Sequence, residues 1–388
     1  DLVSEIELKP LFNGKPIHLN IQFSEPLISE EKNDWLVDLK NEPINYKNNI
    51  NGKLETSTGV LIIGHDNAGY TVGEINSFIS KLKWPVIAEN PISFPQALPH
   101  AVLYLSDPKI RQVLAPENII VIGRTTLSRS TNEFIKLAKN LTVIDPRIAD
   151  VDNNRQADLL VKSLPIDVVS ESTSIDIWQK SSDLAAIEIK KLVWSEQAAI
   201  KCICESLTSM SALFVGSSRP VRDIEAFTKF QTGVFVFANR GLAGIDGNIS
   251  TVFGIAKKYQ VTNAIMGDLT FLHDISALTN SSKENLRIFV IDNNGGGIFS
   301  TLPQAGSTGF EQVFGTPHNL DLVKVISGFG VSVSRVSELA GLELITKKPI
   351  KGFEVVVVQV PSREVNAQML KEITQRVSSA VRIGINLA

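Results

Sequence analysis

Met266-Gly-Asp-Leu-Thr-Phe-Leu-His-Asp274 is followed, after a spacer of helical length, by Ile291-Asp-Asn-Asn-Gly-Gly-Gly-Ile-Phe-Ser-Thr-Leu302. Two apolar runs, 262–266 and 286–291, end in small residues or in carboxylate and carboxamide side chains. Short apolar runs bounded in this way read as buried strands. They place oxygen ligands and bare backbone at neighbouring strand ends, and the carboxyl edge of an open parallel sheet is where ligands bind. Twenty-five positions separate Asp268 from Asn293, enough for a helical crossover between parallel strands. Carboxylate, amide and backbone carbonyl oxygens suit Mg²⁺, which keeps phosphate oxygens as further ligands. Taken alone, Asp268 reads as a helix N-cap and 293–297 as a turn. Together, at this spacing, they read as a Mg²⁺–diphosphate site.

Outward from this stretch, strand-like and helix-like segments alternate. Strands are expected at 60–64, 85–88, 101–105, 119–123, 141–145, 159–164, 212–216, 233–238 and 354–360. Helices are expected at 72–82, 108–114, 131–138, 251–259, 320–328 and 364–381, with a long amphipathic helix or helix pair over 177–206. The alternation predicts an α/β fold of two doubly wound, mostly parallel sheets flanked by helices. The expected domains are a middle α/β domain at 59–167 and a second at 175–388. The polar, Asn-rich stretch 28–58 reads as a linker, as does 168–174. Residues 15–27 read as a lone β-rich strand with nothing before it to pair with. The chain is therefore expected to begin inside a preceding domain, of which 1–27 would be a remnant.

The 388 residues are 43% hydrophobic and 20% charged, as in soluble globular proteins. A net charge of −3 gives no electrostatic ground for a nucleic-acid partner. No apolar run approaches the roughly 20 residues of a membrane span, and no signal peptide is visible. Cys202 and Cys204 lie two apart on an expected helix and point away from each other, so neither a disulfide nor a zinc site is expected. This composition suits a cytoplasmic protein.

Several strand ends in the second unit carry polar or cationic groups: Ser217, Ser218, Arg222, Asn239, Arg240, Asp268, Asn293 and Asn294. Strand ends on one sheet edge converge, so these groups are expected to line one cleft. In the middle unit, Gly64-His-Asp-Asn-Ala-Gly69 reads as a plain turn before a helix, and His65 and His100 as hydrogen-bonded loop histidines. Arg124 and Arg129 follow a strand end and face either a cleft or solvent.

Gly267-Asp268 followed by Asn293-Asn294 resembles the pyrophosphate-binding motif of thiamine-diphosphate (ThDP) enzymes. Longer strings are similar to one family among them, the MenD family of SEPHCHC synthases in menaquinone biosynthesis. These are Phe214-Val-Gly-Ser-Ser-Arg-Pro-Val-Arg-Asp223, Asn239-Arg-Gly-Leu-Ala-Gly-Ile-Asp-Gly247, Gly267–Asp274 and Asn293–Gln304. His18-Leu-Asn-Ile-Gln-Phe-Ser-Glu-Pro-Leu27 resembles the end of that family's first, pyrimidine-binding domain.

The resemblance implies a carboligase in which 2-oxoglutarate loses CO₂ and the resulting succinyl-semialdehyde carbanion adds to isochorismate. It implies ThDP and Mg²⁺ (or Mn²⁺) as cofactors and a homo-oligomer, dimer or tetramer. Asp268, Asn293 and the Gly295 carbonyl match the metal ligands. Gly267, Leu269, Thr270 and Ile298 match residues around the cofactor. Ile245 matches the apolar wedge that bends it for catalysis. Ser218, Arg222 and Arg240 match groups holding substrate carboxylates, a role to which arginine is suited. Phe299 and Leu302 match the apolar wall, and Arg129 a basic residue reaching isochorismate. Without the resemblance, Arg222 with Asp223 reads as a surface ion pair, Ile245 and Leu302 as core, and His273 as structural. The glutamate that activates the cofactor belongs to the pyrimidine-binding domain and has no match in 1–27, so the chain alone is expected to be inactive. Two rival readings are a non-catalytic cofactor-binding or assembly module and a ThDP decarboxylase or carboligase of acetolactate-synthase type.

Overall fold

In the computed structural model, residues 52–124, 126–147, 157–239, 244–280 and 283–387 are described. The strand expected at 15–27 and Arg240 lie outside these residues.

The first unit is built on strands β1 (Lys53–Thr56), β2 (Gly59–Ile63), β3 (Val86–Ala88), β4 (Asn118–Ile122), β5 (Asn140–Ile144), β6 (Leu159–Val161) and β7 (Asp167–Ser170). Five form a parallel sheet in the order β3-β2-β4-β5-β6. Helices α1 (Val72–Leu82), α2 (Ala101–Tyr104), α3 (Pro108–Val113) and α4 (Arg129–Ile135) connect them. A capping box starts α1: Thr71 Oγ1 accepts from Glu74 N, and the Glu74 carboxylate accepts from Thr71 N. Its apolar face, Ile75, Phe78, Ile79 and Leu82, packs on one side of the sheet with Leu61, Ile63 and Ile120.

Several segments depart from their sequence reading. Residues 101–105 are helical, not a strand. His100 adopts a left-handed conformation (φ 66), and Leu105 N donates to Ala101 O at 2.9 Å. A five-residue apolar run carries too little periodicity to separate the two states. The buried Tyr104 ring meets the Trp178 ring at 6.4 Å, so the helix closes a core shared by both units. The two stretches read as linkers each contribute a strand: β1 pairs with β7 in a separate two-stranded parallel sheet. Lys-Leu-Glu-Thr is too short and polar to signal a strand locally.

Helices α5 (Asp176–Ile189) and α6 (Glu196–Glu205) follow, so 177–206 is a helix pair. The second unit then runs β8 (Ala212–Val215), α7 (Arg219–Phe227), β9 (Phe235–Phe237), α8 (Asn248–Ala256), β10 (Thr262–Gly267), α9 (Asp268–His273), β11 (Leu286–Asp292), α10 (Leu322–Ser327), β12 (Ser332–Val336), α11 (Leu339–Thr346), β13 (Phe353–Gln359) and α12 (Arg363–Gly384). Its sheet is parallel throughout, ordered β12-β13-β11-β10-β8-β9.

The central strands β8, β10, β11 and β13 are buried over most of their length, as their largely apolar sequences favour. Edge strand β12, Ser-Val-Ser-Arg-Val, is largely exposed, and its polar pattern hid it from the sequence reading. From β8 the chain goes to one side for β9 and returns on the other as β10. A crevice opens at such a switch point, outside the carboxyl ends of β8 and β10. No helix among the described residues is long and apolar enough to cross a membrane.

Candidate functional site

Strands β10 and β11 run side by side, with Gly267 paired to Ile291. This register brings the residues following each strand to one place. Asp268 begins α9, and its side chain is 3% exposed. Its Oδ1 accepts from Leu269 N at 2.7 Å, and its Oδ2 accepts from Gly295 N at 2.8 Å. Asn293 is buried, and its Nδ2 donates to Glu196 Oε1 at 2.5 Å. With the amide nitrogen so committed, Asn293 Oδ1 is buried without a hydrogen-bond partner. A buried, unsatisfied carboxamide oxygen normally costs about 1–3 kcal/mol; an added ligand would satisfy it.

The intervening backbone requires glycine. Gly295 has φ +134, and a Cβ there would lie 2.3 Å from Gly315 O. A Cβ on Gly297 would lie 2.4 Å from Asn293 Nδ2. Hence Gly295 lets the chain pass close to the Gly315 carbonyl, and Gly297 leaves room for the Asn293 amide.

A cavity of about 500 Å³ opens over this edge. Gly267, Asp268, Leu269, Thr270, Asn293 and Gly295 line its floor, with Ile298 and Phe299 on the turn that follows. Ser218 and Arg222 line another side, from the start of α7. Ser218 has φ 72 and ψ −126, a conformation costing roughly 1–3 kcal/mol in a non-glycine residue. Arg222 Nη1 donates to its carbonyl at 2.7 Å, which ties the arginine to the cavity rim. Ile245 lines the cavity from the loop before α8, where Asn248 Nδ2 donates to its carbonyl at 2.6 Å.

Four expected residues fall elsewhere: Asn239, whose Nδ2 donates to Thr251 Oγ1 at 3.0 Å, and Asn294, whose Nδ2 donates to Asn319 Oδ1 at 2.9 Å, lie outside the cavity lining, as do Arg129 and Leu302. Arg129 is the first residue of α4 and is exposed, outside the cavity lining. Ser128 caps that helix through Thr131 N, and Leu127 turns to the cavity in its stead. Leu302 ends the short turn in extended conformation and lines a separate open groove against α12.

Several residues entered without being expected. His65, in the loop after β2, lines the cavity with Leu127, so the carboxyl edge of the first sheet faces that of the second. Glu196 lies buried at the first turn of α6, its N–H donating to Asn366 Oδ1 at 2.9 Å. Burial pushes its carboxyl group up from the ordinary range; the Asp223 charge adds to this and Arg219 opposes it. Burial likewise pushes Asp223 up, against its ion pair with Arg219 one turn earlier in α7. His318 Nε2 lies 3.3 Å from Asp268 Oδ2 and 3.5 Å from Asp292 Oδ1. The Asp268 contact raises the imidazole pKa, and burial raises that of Asp292. Only Glu196 carried a local signal, the Ser195 cap that divides the 177–206 pair. The others arrive through tertiary packing.

Phosphate-sized anions, a hard cation and an apolar ring system would each find complementary surface here. Residues 224–360 match the family model for the thiamine pyrophosphate enzyme C-terminal TPP binding domain. The chain thus carries the cofactor-binding domain of thiamine-diphosphate enzymes.

Within that class it is similar to the SEPHCHC (2-succinyl-5-enolpyruvyl-6-hydroxy-3-cyclohexene-1-carboxylate) synthases. The enzyme of that name from Lysinibacillus sphaericus (strain C3-41) is 29% identical, the alignment covering 95% of this chain and 71% of the relative. That from Thermobifida fusca (strain YX) is 29% identical over 95% of this chain and 70% of the relative. That from Staphylococcus haemolyticus (strain JCSC1435) is 31% identical over 79% of this chain and 59% of the relative.

Proposed function

We propose that the cavity binds the diphosphate end of ThDP through a Mg²⁺ or Mn²⁺ ion, and that the chain belongs to a carboligase joining 2-oxoglutarate to isochorismate. The observation that carries this reading is the buried, partnerless Asn293 Oδ1 at the same strand ends as Asp268 and Gly295. Asp268, Asn293 and the Gly295 carbonyl would hold the ion. Gly267, Leu269 and Thr270 would face the diphosphate, and Ile298 the rest of the cofactor. When bound, ThDP supplies the electron sink that lets a 2-oxo acid lose CO₂.

The chain's own residues supply binding and orientation. Ile245 presents apolar surface to the cavity and would hold the cofactor bent. Arg222, fixed to the Ser218 carbonyl, presents guanidinium N–H groups to a substrate carboxylate. Both proposed substrates carry two carboxylates, which favours this reading over one with a monocarboxylate donor such as pyruvate. Ser218 and Arg240 would share that role, and Phe299 would form an apolar wall, whereas Leu302 faces the separate groove against α12. Arg129 would need to turn inward from α4 to reach isochorismate. The proposed active form is a cytoplasmic homo-oligomer in which a pyrimidine-binding domain completes the site.

Calorimetric titration of ThDP with Mg²⁺ into wild type and Asp268→Ala tests the cofactor assignment. Heat with wild type and none with the variant is expected; no heat with either would favour a non-catalytic module. Decarboxylation of pyruvate in preference to 2-oxoglutarate by an assembled enzyme would overturn the substrate assignment.

A further inference from the structure

His318 belongs to neither strand end. It arrives in the segment between the π turn at Glu311–Gly315 and α10, and its side chain is 8% exposed. Both ring nitrogens are engaged. Leu320 N donates to Nδ1 at 3.0 Å, so Nδ1 is an acceptor and carries no proton. The neutral ring must then carry its proton on Nε2. That N–H faces Asp268 Oδ2 at 3.3 Å, with Asp292 Oδ1 3.5 Å away. The segment is itself pinned to the site: Asn319 N donates to Asn294 Oδ1 at 2.8 Å, and Asn294 Nδ2 donates to Asn319 Oδ1 at 2.9 Å.

We propose that His318 is a positioning residue for the metal centre, its tautomer fixed by the Leu320 N–H so that Nε2–H holds the Asp268 carboxylate in its ligating orientation. The inference rests on the metal reading above. Among the described residues, the other donors to that carboxylate are the Leu269 and Gly295 N–H groups, and Asp292 stands beside it as a competing like charge. A partner that orients a ligating carboxylate typically contributes 10–100-fold to metal affinity.

The side-chain geometry supplies discriminating variants. Glutamine places an amide N–H near the Nε2 position and retains the donor. Asparagine reaches only the Nδ1 position, keeping the acceptor for Leu320 N–H and losing the donor to Asp268. Leucine loses both.

The test is titration of Mn²⁺ into the full chain with saturating ThDP, free Mn²⁺ being followed by electron paramagnetic resonance. Thermal melts of each apo protein run alongside. His318→Asn and His318→Leu are expected to weaken Mn²⁺ binding 10–100-fold, and His318→Gln to stay within about threefold of wild type. If His318→Leu fails to fold, the Asn and Gln pair alone decides. Equal Mn²⁺ affinity for wild type, Asn and Gln variants would overturn the inference while leaving the metal reading intact. Absence of Mn²⁺ binding by wild type would overturn both.

Discussion

His100 joins the two units, and its burial makes the joint sensitive to acid. It caps α2 in the first unit, is 6% exposed, and its Nδ1 lies 2.8 Å from Ala226 O on α7. A carbonyl only accepts, so Nδ1–H donates. Burial lowers the imidazole from 6.5 to about 4; Lys201 and Lys229 push it the same way, while the Ala226 carbonyl and Glu205 oppose. Between pH 6.5 and 4 the unfolded chain therefore binds more protons than the folded one at this position, so stability falls as pH falls. At pH 5 the unfolded imidazole is almost wholly protonated and the folded one almost wholly neutral. Integrated from pH 7.5 to 5, the lost stability is about 2 kcal/mol; the full loss below pH 4 is about 3 kcal/mol.

The variant that isolates the effect is His100→Asn. Asparagine tolerates left-handed backbone and keeps an N–H near the Nδ1 position, but does not titrate. Urea unfolding of both proteins at half-unit steps from pH 7.5 to 5 gives the difference in stability. That difference should shift by about 2 kcal/mol against wild type as the solution is acidified. Glu196 and Asp223, whose pKa values are raised, contribute the opposite slope, but they do so in both proteins and cancel. A difference that stays constant within about 0.5 kcal/mol would refute the assignment of a buried neutral imidazole. Because α7 also carries Arg222, the same acid range should loosen the cavity wall.

Gly297→Ala is expected to fold yet lose metal-dependent ThDP binding, because its Cβ would displace the Asn293 amide; calorimetry of the folded variant checks it. Arg222→Ala should weaken 2-oxoglutarate binding about 10–100-fold, the value of one charge-assisted hydrogen bond, with ThDP affinity unchanged; parallel titrations of both ligands separate these. Phe271→Ala, at a fully buried position on α9 just after Asp268, should cost about 3–5 kcal/mol in denaturant unfolding and weaken ThDP binding by freeing α9.

What the sequence determined by itself was local and periodic. The runs at β10 and β11 are short, largely apolar and bounded by Gly-Asp and Asn-Asn-Gly, and those boundaries favour buried strands. Their termination at Gly267-Asp268 and Asn293-Asn294 had to fall at the carboxyl edge of that sheet. Those residues touch because adjacent parallel strands put them in register, which a spacing of one crossover already implies. The tertiary structure decided everything that crosses between elements. Glu196 meets Asn293 across 97 positions of sequence, His318 meets Asp268 across 50, and His100 meets Ala226 across 126. Such contacts leave no local pattern, because each residue is compatible with its own helix or loop whichever partner it finds. The same reason explains residues 101–105: five apolar residues satisfy burial as strand or helix, and only the neighbours that enclose Tyr104 made the choice.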